Sequence, residues 1–139
     1  MARTAAQRMA SLRARQREAG LVTLTLVVPA DEVEAFRVEH QRVGLSLGHR
    51  LRYGERSVVY SGDTEWTTDL LRQASGCDLF LCECCTFETP IPGHTRYVEI
   101  EKSRRDIECR HLLLTHLGRE MRERAREVAE SMADDRLKV

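Results

Sequence analysis

Lysine, proline and aromatic residues are all scarce in this sequence. Lys102 and Lys138 are the only lysines, and aromatic residues make up 5% of the chain, which leaves few large anchors for a core. The 22 basic and 22 acidic residues give a formal net charge of zero, so the whole molecule has no general attraction to nucleic acid or membrane. Long hydrophobic runs are also missing, which argues against a membrane-spanning helix.

The number of cysteines is odd, since the chain has five, at positions 77, 82, 84, 85 and 109. No signal peptide is recognisable, so this pattern does not predict a disulfide framework. We therefore expect a soluble protein of the reducing cytoplasm. Unpaired cysteines commonly pack as small apolar residues, and we interpret these five in that way rather than as metal ligands.

The most informative stretch runs from Ser57 to Trp66. A short apolar, β-branched run leads into Ser61-Gly62-Asp63-Thr64, which is typical of a buried strand that ends in a tight turn. Chemistry in α/β proteins gathers where strands end, so Asp63 is a candidate functional residue. The alternative is that Asp63 only caps a helix predicted over residues 65–74.

Three later segments extend the pattern. They are Leu79–Cys84, which is apolar and ends in Cys-Glu-Cys, then Pro92-Gly93-His94, and then Leu112–Gly118, which contains Thr-His. Taken with the Gly-Asp-Thr turn, this order resembles the C-terminal half of metallo-β-lactamase-fold hydrolases over about residues 48–139. The resemblance implies an α/β fold that forms half of a layered αββα sandwich.

The same resemblance implies roles for four residues. Asp63 would supply a metal-bridging carboxylate and His116 the last histidine ligand, while Glu83 and His94 would lie beside the site as catalytic residues. Zinc is the implied cofactor. A working enzyme of this kind would use metal-activated water to attack a phosphodiester, an ester or a lactam.

The main ligand cluster of that family, His-x-His-x-Asp-His, is absent from this sequence. Catalytic zinc usually takes three protein ligands, so we expect the isolated chain to bind zinc weakly and to hydrolyse nothing appreciable. Half of a sandwich would also leave an apolar sheet face uncovered. We therefore expect self-association, or a complementary chain that supplies the missing half.

The N-terminal part has a different character. Residues 1–19 are arginine-rich and helix-favouring, 21–28 predict a strand, and 31–42 predict a helix. About residues 3–42 resemble short ribbon-helix-helix proteins of the antitoxin type, although no second helix follows. This implies an alternative function, a dimeric DNA-binding regulator. The implied DNA-contacting residues are Arg13, Arg15, Arg17, Thr23 and Thr25.

The predicted organisation is thus an N-terminal segment over 1–43 and a partial hydrolase domain over 44–139. Strands and helices alternate through the second part, which indicates α/β layering. Strands are predicted over 49–53, 57–61, 78–82, 110–115 and 136–139. Helices are predicted over 65–75, 97–107 and 119–133.

Overall fold

A computed structural model describes residues 32–40 and 44–133, which form a mixed sheet of six strands with helices on it. The predicted α/β class is confirmed. The strands are β1 (Val33–Val38), β2 (Ser46–Tyr53), β3 (Arg56–Tyr60), β4 (Cys77–Glu83), β5 (Cys109–Thr115) and β6 (Ser131–Met132). The helices are α1 (Thr68–Ala74), α2 (Tyr97–Lys102) and α3 (Arg119–Glu123), with 3₁₀ turns at Arg104–Asp106 and Ala125–Glu127.

The order of strands across the sheet follows their order in the chain. Strands β1, β2 and β3 pair antiparallel, whereas β3, β4, β5 and β6 pair parallel. A parallel pair needs a crossover connection, and α1, α2 and α3 lie in the three crossovers. The carboxyl ends of the parallel strands therefore meet at one edge of the sheet.

The core lies between one face of the sheet and the three helices. Val59, Phe80 and Leu114 come from the central strands and are fully buried. From the helices, Leu70, Ala74, Tyr97, Ile100 and Met121 join the same buried cluster. Their burial fixes which sheet face is the inner one.

The opposite sheet face is also apolar but is less well covered. Val58, Leu79, Leu81 and Leu113 alternate with the core residues and are each only partly buried. Tyr60 lies at the end of this row and is 41% exposed. The apolar character that the sequence predicts for both faces is therefore found. Among residues 32–40 and 44–133, the second face is only partly covered, and we refer to it as the open apolar face.

The predicted helix over residues 31–42 is wrong in its described part. Val33–Val38 forms strand β1, the first strand of the described sheet, which pairs with β2 residues Ser46–Leu51. Phe36 packs against the core, and Val38 is buried. Valine and phenylalanine favour strands, and the pairing with β2 overrides the helix-like spacing. The ribbon-helix-helix resemblance requires a helix here, so the structure does not support it.

The predicted helix over 119–133 is also wrong beyond its first turns. Only Arg119–Glu123 is α-helical, and Ser131–Met132 pairs with β5 instead. Hydrogen bonds from Ala129 N to the Tyr97 hydroxyl and from Ala133 N to Leu114 O direct this segment back to the sheet. These tertiary bonds outweigh the local support that spaced opposite charges give to a helix.

The remaining differences are shifts of boundaries. The helix predicted over 97–107 ends at Lys102, and the one predicted from residue 65 begins at Thr68. The strands predicted over 57–61, 78–82 and 110–115 are found within a residue of those bounds. The predicted strands over 21–28 and 136–139 lie outside the described residues. No helix within 32–40 and 44–133 is long and apolar enough to cross a membrane.

Candidate functional site

Asp63 lies three residues beyond the end of β3, just after a sharp turn. Gly62 has φ +63°, and a Cβ there would come within 2.6 Å of the Leu47 carbonyl oxygen, so the turn requires glycine. The alternative prediction, that Asp63 caps the following helix, is wrong. The N-cap of α1 is Thr67, whose side-chain oxygen accepts a hydrogen bond from Leu70 N at 3.1 Å.

His116 lies directly after β5 and contacts Asp63. Its Nδ1 is 2.8 Å from Asp63 Oδ1, and both side chains are partly exposed. His116 has φ +53°, a left-handed conformation that residues other than glycine adopt infrequently. The carboxylate and the imidazole, proposed from the sequence as metal ligands, thus come together at the carboxyl edge of the sheet.

Glu83 is the last residue of β4, and its side chain is 1% exposed. Oε1 accepts a hydrogen bond from Thr64 N at 2.8 Å and lies 2.9 Å from His94 Nδ1. Oε2 is buried and has no hydrogen-bond partner among the described residues. Burial raises the pKa of Glu83, and the bonds from Thr64 and His94 oppose that shift. The predicted pair of Glu83 and His94 is therefore a direct contact.

The loop that carries His94 is fixed by polar contacts. Gly93 N donates to Glu65 Oε1 at 2.9 Å, and Gly93 O lies 2.8 Å from His40 Nδ1. Gly93 has φ +83°, and a Cβ there would collide with the His40 carbonyl oxygen. The His94 ring centroid lies 4.9 Å from that of His40 and 5.2 Å from that of His116. The three imidazole rings are therefore neighbours. His94 also contacts the carboxylate of Glu83, and His116 contacts that of Asp63.

Cys85 is a member of this site that the sequence analysis missed. One ligand atom each from Cys85, His94 and His116 lie within 4.8 Å of one another. Burial raises the pKa of the Cys85 thiol, with further contributions from Glu83 and Asp63. The interpretation of Cys82 and Cys84 as packing residues agrees with their complete burial in the core.

The other histidines lie elsewhere. His49 stands in β2 opposite Tyr60, and His111 stands in the middle of β5 opposite Leu79. The predicted DNA-contacting residues lie outside the described residues and stay a prediction. They are Arg13, Arg15, Arg17, Thr23 and Thr25.

The donor set fits a borderline metal ion such as zinc. Imidazole nitrogen, carboxylate oxygen and thiolate sulfur are the atoms that zinc takes in proteins. His94 and His116 each have Nδ1 engaged by a carboxylate, and the other ring nitrogen of each has no hydrogen-bond partner in the part of the chain that the structure describes. This carboxylate–histidine arrangement is common around protein-bound zinc because it fixes the tautomer and the ring orientation.

No protein-family model matches the sequence, and no curated protein does. Solved structures do match. The metallo-β-lactamase-fold protein YhfI from Bacillus subtilis is 22% identical, with a TM-score of 0.59, over 76% of this chain and 48% of that one. Zinc-bound PqqB from Methylobacterium extorquens is 16% identical, with a TM-score of 0.61, over 93% of this chain and 60% of that one.

The short form of human tRNase Z also matches, at 20% identity and a TM-score of 0.55, over 78% of this chain and 42% of that one. These similarities show the fold, which is part of a metallo-β-lactamase fold. The chain spans about half the length of the solved structures it matches. The resemblance drawn from the Gly-Asp-Thr and Thr-His segments is therefore confirmed at the level of the fold.

Proposed function

We propose that this chain carries one half of a metal-dependent hydrolase centre, with Asp63 and His116 as metal ligands. The observation that supports this most strongly is the 2.8 Å contact between Asp63 Oδ1 and His116 Nδ1, formed where β3 and β5 end. Residues far apart in sequence converge there, at the sheet edge where α/β folds build their sites. The Glu83–His94 pair adjoins the same edge.

The chain's own residues have separable tasks in this proposal. A bound metal ion would supply a water of lowered pKa, available as hydroxide near neutrality. Asp63 and His116 hold the ion, and Glu83 fixes the ring of His94 through Nδ1. The other nitrogen of His94 is then free to donate a proton to a leaving group. The burial of Glu83 keeps that hydrogen bond away from competing water.

The reaction class follows more readily than the substrate. Three of the matched structures are named a tRNase, a diphosphatase and an isothiocyanate hydrolase. Hydrolysis is common to the three names, whereas the bonds cleaved differ. We therefore propose hydrolysis by metal-activated water and assign the substrate only to the broad class of phosphodiesters, esters and lactams.

A complementary chain is part of the proposal. The sequence has no His-x-His-x-Asp-His cluster, and the chain covers only 42–60% of the length of the three structures compared above. We propose that a second polypeptide supplies the missing ligands and packs on the open apolar face defined by Val58, Tyr60, Leu79, Leu81 and Leu113. Covering such a face is favourable by about 25 cal/mol for each Å² of apolar area.

The test is complementation. The chain is co-produced with the part of the Bacillus subtilis metallo-β-lactamase-fold protein that its match does not cover, and zinc-dependent hydrolysis of bis(p-nitrophenyl) phosphate is measured. We expect hydrolysis by the complex, lost in Asp63→Asn and His116→Ala. His111→Ala is the matched control, because His111 is an exposed histidine in the middle of β5.

Two outcomes would contradict the proposal. One is a stable complex that binds zinc in stoichiometric amount but hydrolyses nothing. The other is hydrolysis that survives both Asp63→Asn and His116→Ala. Sedimentation of the chain alone tests the partner separately, because a compact monomer that binds no apolar dye would show that the open face needs no second polypeptide.

A further inference from the structure

Three ligand-bearing segments meet at one point of this chain. Cys85 follows β4, His94 lies in the loop before α2, and His116 follows β5. One donor atom from each lies within 4.8 Å of the other two. The centre of a triangle with 4.8 Å sides is about 2.8 Å from each corner, so the three donors would need to close in by less than about 1 Å to reach the zinc–nitrogen and zinc–sulfur bond lengths of about 2.0–2.3 Å.

Backbone hydrogen bonds tie the three segments to one another. Cys85 N donates to Thr95 O at 3.1 Å, next to His94, and Cys85 O accepts from Gly118 N at 2.9 Å, two residues past His116. Gly118 has no room for a Cβ, which would collide with the Cys85 carbonyl oxygen. The cysteine is therefore held directly between the two histidine segments by the fold itself.

A carboxylate also orients the ring of each histidine through Nδ1. Glu83 engages Nδ1 of His94 at 2.9 Å, and Asp63 engages Nδ1 of His116 at 2.8 Å. The remaining ring nitrogen of each is the one left to bind an ion. Carboxylate partners of this kind raise the basicity of ligating histidines and fix their rings.

We propose that, in the chain without its partner, Cys85, His94 and His116 form a complete zinc-type metal site. In this form Asp63 and Glu83 orient the two histidines, whereas in the two-chain centre proposed above Asp63 is itself a ligand. Three protein ligands leave a fourth position for water. The inference rests on the proposed metal binding at His116 and deepens it with a thiolate ligand. With His94 engaged as a ligand, its proton-donor task is blocked, so this metal-loaded form of the chain does not hydrolyse.

Cobalt(II) is a suitable probe, because a thiolate ligand gives cobalt an intense charge-transfer absorption in the near ultraviolet. The metal-free full chain is titrated with cobalt under reducing conditions. We expect one ion per chain, a thiolate charge-transfer band, and loss of that band when zinc is added. Cys85→Ser should lose the band and weaken binding by more than about tenfold, the scale reached even by partners outside the ligand set.

Cys109→Ser is the matched control. Cys109 is also a partly buried free cysteine, but it lies at the other end of β5, opposite Cys77 in the register of β4 and β5. Its substitution should leave the band and the affinity unchanged. Asp63→Asn should keep the band while weakening cobalt binding by about tenfold, because Asp63 acts through His116.

A measurement on the unaltered chain covers the case in which Cys85→Ser does not fold. Zinc should slow the alkylation of Cys85 by iodoacetamide, followed by mass spectrometry, while the alkylation of Cys109 should proceed at the same rate. A missing band, a band that persists in Cys85→Ser, or alkylation of Cys85 that is indifferent to zinc would each overturn the inference. A two-chain complex that fails to hydrolyse, while the chain alone gives the band, would contradict the proposed function alone.

Discussion

Glu83 and Thr64 connect two strand ends through one buried hydrogen bond. Glu83 Oε1, at the end of β4, accepts from Thr64 N at 2.8 Å, just beyond the turn that follows β3. Both residues are buried, so neither group has water as an alternative partner. The carboxylate that orients His94 therefore also fixes the turn that carries Asp63. The positions of His94 and Asp63 are linked through Glu83.

This bond predicts a large effect of Glu83→Ala on stability. The substitution leaves the amide of Thr64 buried without an acceptor, which costs about 1–3 kcal/mol. Urea denaturation should show a lower midpoint, and Glu83→Gln, which keeps an acceptor oxygen, should lose less. Glu55→Ala is the exposed control and should stay within about 0.5 kcal/mol of the parent. Equal midpoints for Glu83→Ala and the parent chain would show that the bond does not support the fold.

Gly118→Ala should destabilise the chain for a steric reason alone. Gly118 has φ −71°, which alanine adopts freely, yet the added Cβ would collide with the Cys85 carbonyl oxygen. Overpacking of this kind costs about 1–3 kcal/mol. Thermal unfolding by circular dichroism measures it. Gly54→Asn is the control, because no atom lies within 4 Å of a Cβ at Gly54 and asparagine tolerates its positive φ. If both variants melt with the parent chain, the segment at Gly118 is free to move away.

The hydroxyl of Tyr97 predicts an effect on the C-terminal segment. It accepts hydrogen bonds from Ala129 N and from Arg104, both at 3.0 Å, and the Tyr97 side chain is fully buried. Tyr97→Phe keeps the ring but removes the acceptor, at a cost of about 1–3 kcal/mol. Hydrogen exchange should quicken most at Ala129 and in β6. Tyr53→Phe is the control, because Tyr53 is 78% exposed and should not change either quantity. Unchanged exchange in β6 would contradict the assigned role of the hydroxyl.

Asp78 predicts a dependence of stability on acid. Its carboxylate accepts from Ser57 N and Arg56 Nη1, both at 2.9 Å, and these two bonds lower its pKa below 3.8. A lowered pKa in the folded state gives stability that is present above pH 3.8 and is lost as the pH falls through the folded-state pKa. Asp78→Asn should lower the free energy of unfolding at neutral pH and flatten its fall in acid.

Urea denaturation at a series of pH values measures the effect of Asp78→Asn. The matched control is Asp69→Asn, because Asp69 pairs with Arg72 at the surface of α1, where both side chains are more than 70% exposed. That variant should keep the pH profile of the parent chain. An Asp78→Asn profile that falls in acid as steeply as the parent's would contradict the assigned pKa.

The central strands could be predicted because their signal is local. Residues 57–61, 78–82 and 110–115 are short apolar runs bounded by turns or polar residues, and such a run is a sufficient signal for a central strand that is apolar on both faces. Once those strands are parallel, their ends share an edge, so the meeting of Asp63 with His116 follows from topology. The same reasoning places Glu83 beside them.

Strand β1 could not be predicted in this way. Val33, Phe36 and His40 are spaced like one face of a helix, and the partner that makes them a strand lies in β2, which the spacing does not reveal. Cys85 was missed for a similar reason. Strand alternation places it opposite Cys84, but β4 ends at Glu83, and bonds to Thr95 and Gly118 set its position instead.

The spacing of Cys82 and Cys85 also matches a common metal-binding pair, yet the structure separates their roles. Cys82 is fully buried, and its Sγ lies 3.3 Å from the Glu83 carbonyl oxygen. Cys85 is only partly buried and faces the histidines. Sequence spacing alone therefore cannot tell which cysteine belongs to the site.

The left-handed backbone of His116 has a consequence for any attempt to improve this protein. A side chain with a Cβ is held there at a cost of about 1–2 kcal/mol, which glycine would avoid and asparagine would reduce. Selection for heat resistance alone would thus favour replacing the histidine. Libraries screened only for thermal tolerance would therefore select against the imidazole of His116. Their most stable members would be variants that lack this proposed metal ligand.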